Sequence, residues 1–188
     1  FLRWTDALIG GGVALIAASL VPGAPLRRPW EQAAAVVDKE ARLIAAAAQV
    51  MVDGDTHTAM ALLADARATD FLVRELDDAA DEGMSVVVSS PFRRQDRRDL
   101  RRLVDLVEPV DRALRGTRVL VGQTAVTAAH RLDVPASYAA FCGELGIAAR
   151  RVAEELRRNR TAEAVRPDLL SLGARSGRRA QRVHAVGA

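Results

Sequence analysis

The sequence has 188 residues but only one cysteine, one tyrosine and 4% aromatic residues. Because Cys142 stands alone, no intrachain disulfide framework and no thiolate cluster for structural zinc is possible. The three histidines, His57, His130 and His184, lie in different segments without a second ligand at metal-binding spacing. No nucleophile elbow or phosphate-binding loop occurs either. We therefore predict no metal site, no cofactor and no enzymatic activity.

Glycine and proline are sparse outside turn positions, whereas alanine, leucine, valine and arginine dominate a chain that is 49% hydrophobic. This composition favours helices. The sequence predicts an all-α protein with one transmembrane helix at residues 1–24 and an antiparallel helical bundle with long, partly kinked helices at residues 25–165. Residues 166–188 are rich in Gly, Ser, Ala and Arg and lack periodicity, which predicts a disordered basic tail.

The predicted membrane helix is based on an uncharged run from Ala7 to Val21. Extended back to Phe1, the run is long enough to cross about 30 Å of hydrocarbon at a rise of about 1.5 Å per residue. Two alternatives stay open because the strictly uncharged part is short for a membrane span. One is the core of a signal peptide with a cleavage region at residues 22–25, and the other is a buried helix of a soluble protein.

Small residues on one face of this helix, Gly10, Ala14 and Ala18, would allow a neighbouring helix to approach closely, as helices pack in lipid. Arg27 and Arg28 follow the span immediately. Because cytoplasmic flanks of membrane spans carry an excess of positive charge, we expect the residues after the span to lie in the cytoplasm.

Arg3 and Asp6 lie three residues apart, on one face of the same helix. Ionisable groups are costly within lipid, so this pair should face protein or water. We expect an ion pair that takes part in transport, and the alternative is a mutually neutralising pair at the level of the lipid headgroups.

The helices of the bundle are predicted from their caps and breaks. Pro29 fits the first turn of a helix that ends at Asp53-Gly54, Asp55 and Thr69 fit the caps of the next two helices, and the third helix ends before Ser90-Pro91. The strongest pattern follows, with steps of three and four residues typical of a bundle seam: Leu100, Leu103, Val107, Val110, Leu114, Thr117, Val121, Thr124 and Ala128.

Two further features concern the last helices of the bundle. Pro109 interrupts the seam and predicts a kink, since the seam continues in register beyond it. Asp133 and Pro135 open a last helix, and its apolar residues share one face: Tyr138, Phe141, Leu145, Ala148 and Val152.

Arginine-rich segments are candidates for contact with an anionic lipid surface. They comprise Arg27, Arg28, Arg93, Arg94, Arg97 and Arg98. The alternatives are a solvated helix face and, last, a soluble regulator that binds nucleic acid. Interleaved Asp96 and Asp99 and the lack of stacking aromatic residues disfavour nucleic acid.

The opening residues FLRWTDALIGG, together with Ser90-Pro91 and EPVDRA at residues 108–113, resemble bacterial fusaric acid resistance proteins, also called aromatic acid exporter family proteins, of the actinobacterial type. The similarity extends over about residues 1–165, and its most informative motif is R-x-x-D-x-x-x-G, matched by Arg3, Asp6 and Gly10.

The resemblance implies a multi-pass inner-membrane protein that exports aromatic or other organic acids, with further spans upstream. Its soluble helices would act in assembly or regulation, with the lipid bilayer and a second copy of the chain as partners and without nucleic acid. The alternative is a membrane-tethered helical interaction module without transport activity.

Overall fold

The computed structural model describes residues 24–88 and 94–186, and these residues form an all-α structure. Its helices are Ala24–Asp53 (α1), Thr56–Arg67 (α2), Asp70–Val88 (α3), Arg94–Ala129 (α4), Ala136–Arg157 (α5) and Arg166–Val186 (α6), with a 3-10 turn at Ala162–Val165. Helices α1 to α5 pack as a bundle, which confirms the all-α prediction.

The predicted membrane helix lies, except for Ala24, outside the described residues. The same holds for its candidate residues Arg3, Asp6, Gly10, Ala14 and Ala18. Within residues 24–88 and 94–186, no helix combines the length and the apolar character that crossing a membrane requires.

Side-chain contacts define the directions of the long helices. Near the start of α1, Pro29 and Leu100 of α4 lie against the same glycine of α3, Gly83. Further along, Thr117 of α4 donates a hydrogen bond to Glu40 of α1. Helices α1 and α4 therefore run in the same direction.

Helix α5 runs the opposite way to α1, because Arg157 near its end pairs with Asp38 of α1 at 3.3 Å. Nearer its start, a Cβ added at Gly146 would lie 3.3 Å from the carbonyl oxygen of Ala41. Helix α1 thus lies at the centre of the bundle and makes its most extensive contact with α5.

The core follows from this arrangement. One apolar cluster joins the first half of α1 to α3, α4 and the end of α5, and a second joins the second half of α1 to α2 and the end of α4. Of the nine predicted seam residues of α4, seven are buried and two, Val107 and Val110, are half-buried. The seam prediction is confirmed.

The turn between α1 and α2 has the residues that its backbone requires. Gly54 has φ +67°, in the left-handed region that glycine tolerates best. Asp55 is the N-cap of α2, as predicted, and accepts hydrogen bonds from the N–H groups of His57 at 3.0 Å and Thr58 at 3.3 Å. The Thr58 hydroxyl and these N–H groups lower the pKa of Asp55.

One predicted boundary, the start of the first helix, differs from the structure. Helix α1 begins at Ala24 instead of near Pro29, and Pro29 lies inside it, buried against Gly83 of α3. Proline is normally disfavoured inside a helix, and here its ring is packed against a neighbouring helix. Helix α4, in contrast, continues through Pro109 as the seam predicted.

The prediction of a disordered tail at residues 166–188 is wrong where the structure describes helix α6. Leu172 is buried, and two ion pairs connect α6 to α5: Arg151 with Asp168 at 2.8 Å and Arg175 with Glu144 at 2.5 Å. These contacts with α5 stabilise a segment whose composition alone resembles that of disordered chains.

Candidate functional site

A cavity of about 650 Å³ lies between α1, α4 and α5, and α6 contributes to its wall. The residues that line it are almost all apolar or aromatic, and α4 contributes Pro109, Val110, Ala113, Gly116, Thr117 and Leu120. This volume falls within the range of about 300–1,000 Å³ that is typical of small-molecule sites. The cavity is the candidate functional site.

Glu40 is the one charged residue among the described residues that line the cavity. Its side chain belongs to α1 and is 8% exposed. The Thr117 hydroxyl of α4 donates a hydrogen bond of 3.0 Å to Oε1 of Glu40. Oε2 has neither a hydrogen bond nor an ion pair with any residue of the described helices. One carboxyl oxygen of this cavity-lining residue therefore has no partner among the described residues.

Burial raises the pKa of Glu40 above the ordinary glutamate value of 4.5, and the hydrogen bond from Thr117 opposes this only in part. Desolvation penalises the charged form of a carboxyl, which explains the direction. The folded protein thus holds the Glu40 proton more tightly than the unfolded chain does.

We expect Glu40→Gln to stabilise the protein above pH 4.5, by an amount that grows until the pH exceeds the raised pKa of Glu40 in the folded protein and then stays constant. Wild type loses stability over that interval because its unfolded chain releases the Glu40 proton before its folded state does. Below pH 4.5 both states hold the proton, so the gain disappears. Urea unfolding across a pH series measures it.

Glu154→Gln, at an exposed site on α5, is the control and should change the free energy of unfolding by less than about 0.5 kcal/mol. A stabilisation by Glu40→Gln that did not depend on pH would contradict a raised pKa of Glu40.

The wall of the cavity contains most of the predicted apolar face of α5. Tyr138, Phe141, Leu145 and Val152 line the cavity and are half-buried or exposed. The buried residues of α5 are small except for the last, and of them only Ala148 belongs to the predicted face: Ala139, Cys142, Gly146, Ala148, Ala153 and Leu156. Large apolar residues of α5 are thus left at the cavity because small ones make the close contact with α1.

Cys142 is buried and lines the cavity, next to Ile44 and Ala48 of α1. Burial raises the pKa of its thiol above the ordinary value. Because the thiolate is the reactive form, this environment disfavours nucleophilic chemistry at Cys142.

The candidate lipid-contact arginines that the structure describes lie at the starts of α1 and α4, and these two starts are at the same end of the bundle. Arg27 and Arg98 are exposed, whereas Arg28 pairs with Glu82 of α3 at 3.1 Å. Arg94 and Arg97 lie on the first turn of α4. Arg93 is outside the described residues. Positive charge is unfavourable at a helix N-terminus, so its concentration at two such ends has no evident role in helix stability.

A second depression, of about 310 Å³, is polar and lies near the end of α5. Its central carboxylate, Glu155, is compensated by Arg158 at 3.1 Å and Arg160 at 3.2 Å. Across the same depression Asp99 lies 3.8 Å from Arg102. Because these charges are paired within the chain, the depression fits a structural ion-pair network.

Glu40 is not among the predicted site residues, although the sequence contains a signal for it. Glu40 lies on the apolar stripe of α1, four residues after Val36 and four before Ile44. A carboxylate at such a position must be paired, protonated or next to a cavity. Thr117, in contrast, was included in the predicted seam as one of its two polar members.

Comparison with known proteins gives one relative. An uncharacterized protein of Corynebacterium glutamicum is 32% identical over 124 residues, which cover 66% of this chain and 32% of that protein. The match therefore covers about a third of the relative's length. No protein family model and no solved structure matches the chain.

Proposed function

We propose that the described helices are the regulatory and assembly part of an exporter-like membrane protein and that they bind a small apolar molecule in the cavity between α1, α4 and α5. The cavity is the observation on which the binding proposal depends. It combines a suitable volume, an apolar wall and one buried polar group, Glu40 with its Thr117 partner. Small-molecule sites typically have this combination of an apolar lining and few polar groups.

The position of the cavity suits regulation. Its wall draws residues from four helices, including α6, which meets the bundle through α5 and the 3-10 turn. A ligand that contacts several helices favours the arrangement in which all of them close around it. Binding would therefore stabilise one packing of α5 and α6 against α1 and α4.

Binding is tested with naphthylmethanol, a neutral aromatic probe, and the variant Gly116→Leu. Gly116 lines the cavity, and a Cβ added there meets no atom within 4 Å. A leucine at this position should occupy cavity volume without a clash. We expect the dissociation constant of naphthylmethanol to rise about tenfold or more, as measured by equilibrium dialysis with the 188-residue chain.

Gly122→Leu is the matched control. Gly122 lies on the same helix, has equally open surroundings and does not line the cavity. Both substitutions replace a helical glycine and should raise helix propensity alike. Equal binding by the two variants, or no binding by wild type, would contradict the proposed function.

The membrane part of the proposal draws on the resemblance of residues 1–11 and on the arginines at one end of the bundle. Under this proposal the helices lie on the cytoplasmic side of a bacterial inner membrane, with the arginine-rich end towards anionic headgroups. The exported molecule would be an aromatic or other organic acid, and Arg3 and Asp6 would take part in its transport. A second copy of the chain is the proposed assembly partner.

We expect the full-length native protein to stay in the membrane pellet after alkaline-carbonate extraction and to be released by detergent. Hydrophobic insertion resists carbonate, whereas electrostatic attachment alone does not. Release by carbonate would exclude the exporter proposal and would leave the cavity proposal standing.

A further inference from the structure

We propose that the cavity between α1, α4 and α5 selects a lipophilic organic cation, an apolar amine whose ammonium group pairs with Oε2 of Glu40. This inference rests on the proposed small-molecule function and specifies its ligand class. It differs from the class expected for the exported substrate, which is an organic acid.

Among the described residues, the cavity wall contains no countercharge for Glu40. None of the described residues that line it is lysine, arginine or histidine. The cations that flank Glu40 in sequence are engaged elsewhere, Lys39 with Asp65 at 2.5 Å and Arg42 with Asp38. A buried carboxylate without a partner is costly, and an ammonium group brought by a ligand would compensate it.

Several described arginines on the other helices around the cavity are paired elsewhere. On α4, Arg115 pairs with Asp111 and Arg118 pairs with Asp70 of α3. On α6, Arg175 pairs with Glu144 of α5. The other polar groups of this kind in the wall, the Tyr138 phenol and the Cys142 thiol, carry no positive charge in any protonation state.

The hydrogen bond from Thr117 orients the carboxyl group for such a ligand. Oε1 accepts from the Thr117 hydroxyl, so Oε2 is the oxygen available to a donor in the cavity. An ammonium donor would form a charge-assisted hydrogen bond with it, which is stronger than a bond between neutral groups. The 8% exposure of Glu40 limits competition from water.

The apolar wall recognises the rest of the ligand. Phe141 and Tyr138 of α5 provide aromatic surface, and Ile44, Val110 and Leu145 provide aliphatic surface. Aromatic rings also attract cations that approach their faces. An organic acid would instead bring its carboxylate into a wall that offers no cation among the described residues.

The test compares three probes with the same ring: naphthylmethylamine, naphthylmethanol and naphthoic acid. Equilibrium dialysis with the full 188-residue chain at neutral pH gives each dissociation constant. We expect the amine to bind about tenfold tighter than the alcohol, and the acid to bind most weakly. Tighter binding of the alcohol or the acid than of the amine would overturn the inference.

The variant Glu40→Gln removes the charge but keeps an oxygen that can accept from Thr117. We expect its affinity for naphthylmethylamine to fall about tenfold relative to wild type, and circular dichroism with urea unfolding shows whether the variant is folded. An unchanged preference for the amine in Glu40→Gln would place the ammonium group elsewhere and overturn the inference. Should the variant fail to fold, the order of the three probes on wild type still decides.

The probes also separate the inference from the proposal on which it rests. Absence of binding by all three would contradict the small-molecule function itself. Equal binding of the amine and the alcohol would leave that function intact and refute only the selection of a cation by Glu40.

Discussion

Gly146→Leu is expected to destabilise the bundle by about 3 kcal/mol or more, because a side chain at this position meets the backbone of α1. A Cβ added at Gly146 would lie 3.3 Å from the carbonyl oxygen of Ala41 and 3.4 Å from the backbone nitrogen of Ala45. These contacts are with backbone, which cannot swing aside as a flexible side chain does. Leucine would therefore force α1 and α5 apart.

Gly143→Leu is the matched control for this substitution. Gly143 lies on the same helix, and a Cβ added there meets nothing within 4 Å. Leucine should stabilise the helix at this position, because glycine is less favourable than leucine by roughly 0.8 kcal/mol in a helix. Urea unfolding followed by circular dichroism compares the two variants. Similar stabilities of Gly146→Leu and Gly143→Leu would show that α1 and α5 do not approach each other this closely.

Leu114→Ala is expected to lower the free energy of unfolding by about 2–5 kcal/mol, the range for truncation of a large core residue. Leu114 is 0% exposed and belongs to the apolar cluster that joins α1, α3, α4 and α5. Its loss removes buried surface from four helices and leaves an unfilled space.

Val119→Ala, on the same helix, provides the comparison because Val119 is 65% exposed. Its effect should stay within about 0.5 kcal/mol, as for most surface substitutions. Urea unfolding measures both variants. An equal loss at the two positions would mean that α4 does not present its seam to the core.

The burial of Leu114 can be predicted from the sequence, whereas the close contact at Gly146 cannot. Leu114 stands in a periodic seam that is visible in the sequence, and the structure confirms its burial. Gly146 carries no such signal, because a glycine within a helical pattern is compatible with a close contact, a cap or a chance substitution. Gly143 and Gly146 look alike in the sequence, and only the position of α1 distinguishes them.

The cavity, like the contact at Gly146, is not predictable from helical periodicity. Apolar residues of α5 that share a helical face were grouped correctly, but a face can pack against a neighbour or line a cavity. Periodicity records hydrophobicity and not the distance to the next helix. Glu40 was recognisable as a polar residue on an apolar stripe, yet its unpaired oxygen depends on where α4 and α5 place their cations.

The all-α class, the N-cap of α2, the end of α3 and the seam of α4 are predictable from the sequence alone, because local capping and helical periodicity operate within a few neighbouring residues. The other features of the described residues depend on tertiary contacts. Residues 166–186 form helix α6, which contacts α5, where a tail was predicted. Small residues allow α5 to pack closely against α1, and an apolar cavity lies beside Glu40. These outcomes depend on how distant helices pack, and no local pattern encodes that packing.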